Sequence, residues 1–180
     1  MSTRLTDNRG APDVNQAAPF PRGNAAGGGP DTGPAYELIE LFFFAYRDFV
    51  GDADRLLAAY GFGRAHHRVL HFVDRRPGLT VAELLDLLQI TKQSLNRTLR
   101  ELVDKGFVES RIGTVDRRQR LLLTTVRGRA LALELAGLQT QRFRRALGPE
   151  PDEAVLAASR FLQAMRDPPG SGAADGSAAP

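Results

Sequence analysis

The chain has 180 residues, enough for one ordinary domain with a real core, and it carries a formal net charge of +3. It has no cysteine, which excludes disulfides, thiolate metal sites and a cysteine-based redox sensor. No apolar run approaches the roughly 20 residues that span a bilayer, and the amino-terminal stretch lacks an apolar signal-peptide core. A cytoplasmic protein with no membrane partner is therefore expected.

Residues 1–33 are rich in Gly, Pro, Asn, Asp and Ala, with "AAGGGPDTGP" and no apolar period, and read as a disordered arm. "DPPGSGAADGSAAP", residues 167–180, reads as a disordered tail. Between them, 34–166 forms the folded part. A helical pattern runs from Tyr36 to Tyr60, with Leu38, Leu41, Phe42, Ala45 and Phe49 on one face. Ile39, Phe43 and Phe44 extend the apolar surface most of the way round. Such a helix must be covered on more than one side, and in a domain this small a second subunit is an economical cover. Gly61 and Gly63 end this unit. A second helix, Arg64 to Arg75, carries Val69, Leu70, Phe72 and Val73 and stops at Pro77 and Gly78.

Thr80-Val-Ala-Glu83 is a capping box that starts a short helix with Leu84, Leu85, Leu87 and Leu88. After a brief break, Thr91 caps "KQSLNRTLRELVD". Ile90 and Leu95 have the spacing of a hydrophobic staple, and Gly106 stands where a left-handed residue would end the helix. Two short helices joined by about three residues have helix-turn-helix spacing. Phe107 to Arg111 and Arg120 to Thr124 then read as two strands of a hairpin around "IGTVDRRQ". Thr125 caps a long helix to about Leu147, with Ala130, Leu131, Leu133, Leu135 and Leu138 apolar. Gly148 and Pro149 break it, and Pro151 to Met165 forms a last amphipathic helix carrying Val155, Leu156, Phe161, Leu162 and Met165. The fold class is mainly α with a small β-hairpin: a winged helix-turn-helix with further helices before and after it.

Charge follows this organisation. From Thr91 to Ala130 there are ten Lys/Arg against four Asp/Glu, a local +6, so the remainder of the chain sums to −3. Arg outnumbers Lys by 22 to 2, as GC-rich coding would give, but coding bias does not explain clustering. A basic segment on a slightly acidic body suits a polyanion. Within it, Gln93, Asn96, Arg97 and Arg100 lie opposite the stripe of Leu95, Leu99 and Leu102. Gln and Asn can pair bidentately with adenine and Arg with guanine, while Lys92, at the positive helix N-terminus, suits a phosphate. On an isolated helix such a face would most simply be solvated surface. The preceding capped helix, the tight turn and the basic hairpin favour a surface that reads double-stranded DNA. At the hairpin tip Arg117, Arg118 and Arg120 suit a narrow minor groove, and Asp116 suits an orienting role through a charge-assisted hydrogen bond.

These residues, "HRVLHFVDRRPGLTVAELLDLLQITKQSLNRTLRELVDKGFVESRIGTVDRRQRLLLTTVRGRAL", resemble the MarR family of bacterial transcription regulators, and the resemblance covers about Ala35 to Met165. "LRELVDKGFV" and "DRR…LLLTT…G" are its most specific parts. "LFFFAYRDF", "GFGRAHHRVLHFV" and "ITKQSLNRTL" resemble a PetP-like subgroup. The resemblance implies a homodimer whose N- and C-terminal dimerisation helices, about 35–60 and 126–166, interlock around a DNA-binding lobe of about 64–125. It implies that Gln93, Ser94, Asn96 and Arg97 enter the major groove, and that Asp116 supports Arg118 in the minor groove. Thr124 stands where the family usually has Leu, a departure expected to loosen the packing of the wing slightly.

Dimers of this kind often hold an apolar pocket between dimer helices and DNA-binding lobe. Phe43, Tyr46, Arg47, His67 and His71 are its candidate lining, with Arg47 the natural anchor for a carboxylate or phenolate effector. His67 and His71 share a helical face and could bind a metal or haem, but with three histidines in all and no evident third ligand a structural role is favoured, and no cofactor is expected. A winged-helix protein-interaction module is the competing class; an erased recognition face or a wing without basic residues would favour it, and neither is present. Catalysis is not expected: the chain has no phosphate-binding Gly loop, nucleophile elbow or HExxH.

Overall fold

The computed structural model describes residues 34–113, 119–149 and 151–166. Its elements are α1 (Tyr36–Ala58), α2 (Arg64–Arg75), β1 (Leu79–Thr80), α3 (Val81–Leu88), α4 (Lys92–Asp104), β2 (Val108–Ile112), β3 (Arg120–Thr124), α5 (Val126–Leu147) and α6 (Pro151–Ala164). The disordered arm and tail expected at 1–33 and 167–180 lie outside the described residues, as do Asp116, Arg117 and Arg118.

Helix starts follow from side-chain chemistry. Thr80 Oγ1 accepts from the Glu83 amide at 3.2 Å and Glu83 Oε2 accepts from the Thr80 amide at 2.8 Å, so the box satisfies two backbone donors at the start of α3. Thr91 accepts from the Ser94 amide at 3.2 Å and Thr125 from the Gly128 amide at 3.0 Å. Gly106, at φ +73°, reverses the chain after α4 in the left-handed conformation that glycine adopts without strain.

The expected hairpin is one half of a three-stranded antiparallel sheet in the order β1-β3-β2. β3 pairs Leu122 with Ser110 on one side and with Leu79 on the other. A two-residue strand has no alternation to read, so β1 left no periodic trace in the sequence. Thr124 also has a partner that the sequence did not suggest. Its hydroxyl donates to Asp74 Oδ1 at 3.0 Å, so a polar contact joins β3 to α2 where a leucine would have supplied an apolar one.

The core runs from the second half of α1 through the first half of α5, and Leu57, Val69, Val73, Leu84, Leu95, Leu102 and Leu135 are all fully enclosed in it. Phe107, between α4 and β2, is 1% exposed and packs edge-on against Tyr60 and Phe62, with ring centroids 5.4 and 5.0 Å away. α1 and α2 both pack on α5. Arg142 of α5 donates to Asp52 of α1 at 2.8 Å, which holds the Asp52 carboxyl below its ordinary range. The eleven residues at the start of α1 and all of α6 contain no buried side chain.

Candidate nucleic-acid interface

α4 carries the apolar and polar stripes on opposite sides. Leu95, Leu99 and Leu102 are buried, while Lys92, Gln93, Ser94, Asn96, Arg97 and Arg100 are all exposed and line one open surface together with Thr91. Burial of the leucines fixes the rotation of α4, so the six polar residues can only point outward. Thr98 is buried, and its hydroxyl turns inward to the Ser94 carbonyl at 3.1 Å, which keeps it off the exposed polar face. Among the described residues, Arg97 alone of the six faces a carboxylate, with its Nε 3.8 Å from Glu101 Oε1. Asn96 and Arg100 also border a cleft against the sheet that Ser110 and Arg120 line from β2 and β3, so the exposed surface is continuous from α4 to the root of the wing.

α3, the left-handed turn at Gln89 (φ +50°) and α4 form a helix-turn-helix, and strands β2 and β3 after it supply the wing. With the polar face of α4 outward, this is the architecture of a DNA-binding regulator. The sequence of the MarR family matches over residues 60–119. The chain is 50% identical over 130 residues to the HTH-type transcriptional regulator PetP of Rhodobacter capsulatus, covering 72% of this chain and 78% of PetP. The crystal structure of MarR superposes with a TM-score of 0.55 at 25% identity, over 75% of this chain and 92% of that one. Streptococcus pneumoniae FabT in complex with DNA superposes at 0.62 and 16% identity, over 72% and 94%. The chain belongs to the MarR family: it is a DNA-binding transcriptional regulator and not an enzyme.

A second surface lies between α1, α2 and α5. A cavity of about 460 Å³ is lined by Tyr46, Phe49, Val50, Arg64, His67, Arg68, His71, Phe72, Gln139 and Phe143. Tyr46, His67 and His71 are brought together as the sequence suggested. Phe43 and Arg47 lie outside this cavity: Phe43 is exposed, and Arg47 pairs with Asp48 at 2.9 Å and lies over the Phe44 ring. The cations at the cavity are instead Arg64, which pairs with Asp54 at 2.9 Å, and Arg68, whose guanidinium donates to the Leu88 carbonyl at 2.9 Å. Arg64, His67, Arg68 and His71 fall at i, i+3, i+4 and i+7 on α2, opposite Val69, Leu70 and Val73. That helical stripe was available in the sequence and would have pointed to both arginines. Among the described residues no group of three His, Asp or Glu side chains could hold a metal ion, so His67 and His71 have no third ligand there.

Burial pushes the His67 imidazole below the ordinary histidine range; His71 adds to this and Asp54 opposes it. His71 is lowered by burial and then by Arg75, against Asp74. Folding therefore favours both rings neutral, whereas the unfolded chain takes up protons as pH falls below about 6.5. The unfolded state then binds more protons, so stability falls with pH from there down to the lowered folded values. The urea midpoint is expected to hold steady between pH 8 and 7 and to drop between 6.5 and 5.5. The drop should be smaller in the His67→Gln/His71→Gln double variant, and an unchanged pH profile in that variant would exclude this origin.

Proposed function

We propose that the protein binds a palindromic operator as a homodimer, reading bases with Gln93, Ser94, Asn96, Arg97 and Arg100 of α4, holding phosphate with Lys92, and responding to a small molecule in the cavity beside α2. The observation that carries the DNA reading is the single outward face of α4, with all six polar side chains exposed above a buried leucine stripe. Two-fold related copies would present two such helices to half-sites about one helical turn apart, roughly 10 base pairs. Dimerisation is supported by the long apolar surface of α1 and α6, whose large side chains stay about half exposed in the described chain.

Effector response is supported by position. Arg68 belongs to the cavity wall, and its bond to the Leu88 carbonyl ends on the last residue of α3, four residues before Lys92 at the start of α4. A ligand that drew the Arg68 guanidinium inward would remove that bond and free the helix-turn-helix to shift.

The test is fluorescence anisotropy with the DNA upstream of the protein's own gene and with scrambled DNA, across a salt series. A preference for the upstream DNA that survives at physiological salt is expected, with a steep salt dependence. Arg97→Ala should reduce the preference by about tenfold or more, because a good bidentate base contact carries about 1–3 kcal/mol of discrimination. Lys92→Ala should weaken both DNAs alike and lower the slope of log affinity against log salt by about one. Equal effects of the two variants on preference would overturn this division of roles.

A further inference from the structure

Glu101 stands one helical turn after Arg97 on α4 and is held from another helix. Its Oε2 lies 2.8 Å from Nε2 of His66 in α2, and its Oε1 lies 3.8 Å from Arg97 Nε. The other imidazole nitrogen, Nδ1, accepts from the Gly63 amide at 3.1 Å. Nδ1 must therefore be unprotonated, which puts the proton on Nε2 and makes Nε2 the donor to Glu101. The ring has little freedom to turn away. It stacks on Phe62 at 4.6 Å with 19° between planes, and Phe62 is itself buried against Phe107. One oxygen of Glu101 is thus fixed by the body of the protein while the other faces the base-reading arginine.

Arg97 is 83% exposed, and a pair this open adds little to folding stability. Its consequence is for binding. An arginine that must be ordered on docking loses rotamer freedom, and a fixed carboxylate beside it limits that freedom beforehand. The same carboxylate repels phosphate, so it costs affinity for every sequence alike. Resting on the assignment of Arg97 to base recognition above, we propose that Glu101, anchored by His66, is a positioning residue that orients Arg97, so that sequence preference depends on two side chains that do not read DNA.

A double-mutant cycle on the full chain tests this, with anisotropy on upstream and scrambled DNA and with thermal unfolding as the control for folding. Glu101→Gln keeps an amide oxygen for His66 to bond, so an unfolding temperature close to the parent's is expected. It should bind scrambled DNA more tightly and prefer the upstream DNA roughly fivefold less, within the range seen for coupled neighbours. In the Arg97→Ala background the same substitution should leave the preference where Arg97→Ala alone has put it. If Arg97→Ala lowers the preference and Glu101→Gln either leaves it alone or lowers it equally in both backgrounds, the positioning role is overturned and the assignment of Arg97 stands. If Arg97→Ala leaves the preference unchanged, the assignment of Arg97 falls and the positioning role falls with it.

Discussion

Gly128→Ala is expected to unfold most of the protein at urea concentrations where the parent is still native. A Cβ built at Gly128 would lie 1.8 Å from the carbonyl oxygen of Phe107 and 2.8 Å from its carbonyl carbon, and both are backbone atoms that cannot swing aside. Neither partner can retreat. Phe107 is fixed by Tyr60, Phe62 and the Arg127 guanidinium, which sits 4.3 Å from its ring centroid. The start of α5 is fixed by the Thr125 amide, which donates to the same Phe107 carbonyl at 3.1 Å, and by the Thr125 hydroxyl, which donates to Gly106 at 2.7 Å. Alanine would gain about 1 kcal/mol of helix propensity over glycine. Overpacking against immobile backbone costs about 3 kcal/mol or more, so the clash prevails, and domains of this size have only about 5–15 kcal/mol to lose. Gly137→Ala is the matched control, in the same helix with no atom within 4 Å of the added carbon. Urea denaturation followed by circular dichroism should show a collapsed midpoint for Gly128→Ala and an equal or higher one for Gly137→Ala. A Gly128→Ala midpoint within error of the parent would show that α5 can slide away from Phe107.

That contact also shows which parts of this molecule its sequence discloses. Caps are local, so Thr80, Glu83, Thr91 and Thr125 announce their helices within four residues, and the leucines of α4 declare its buried side and hence its exposed polar side. Gly128 is different. Its need for a missing side chain comes from Phe107, 21 residues earlier, and no periodicity encodes that approach. Strand β1 shares this property, because Leu79 and Thr80 become a strand only through pairing with Leu122 and Leu121. Thr124 appeared as a loss of apolar packing because its partner, Asp74, lies 50 residues away. At the cavity, the stripe on α2 was legible, but which residues of α1 face it depends on how the two helices cross. Tyr46, Phe49 and Val50 line it, while Phe43 and Arg47 do not. His66, which the sequence presented only as one of three histidines, gains its meaning from Glu101, 35 residues on.

A glutamate at Leu38 or at Phe161 is expected to turn the proposed homodimer into monomers while leaving the chain folded. Between Tyr36 and Tyr46, eight large apolar side chains are each at least 40% exposed, and so are Val155, Leu156, Phe161, Leu162 and Met165 of α6, where Leu162 lines one apolar pocket with Phe42, Ala45, Tyr46 and Phe49 of α1. Soluble monomers seldom leave so many neighbouring apolar side chains in water. Leu38 and Phe161 are 62% and 54% exposed in the single chain, so replacing them removes little of its own packing. In a two-fold dimer each substitution occurs twice. Losing about 2 kcal/mol of burial at each copy, within the usual 1.5–3 for a large apolar side chain, amounts to about 4 kcal/mol, or roughly a thousandfold in the dissociation constant. Val126→Glu separates this from a general effect of added negative charge. Val126 is 92% exposed, but it begins α5, next to the wing strand β3 and away from α6, so its variant should remain as dimeric as the parent. Sedimentation velocity over a concentration series reads all three. A Leu38→Glu protein as dimeric as the parent at the lowest concentrations would mean that α1 is covered by something other than its own copy. If the monomers form as expected, each retains one α4 face. They should bind scrambled DNA more weakly than the parent, because half of the phosphate contacts are lost, and should lose most of the preference for a two-half-site operator, because the second half-site contact is no longer intramolecular. Assembly and sequence preference should therefore fall together in these variants, whereas Arg97→Ala should lower the preference and leave the dimer intact.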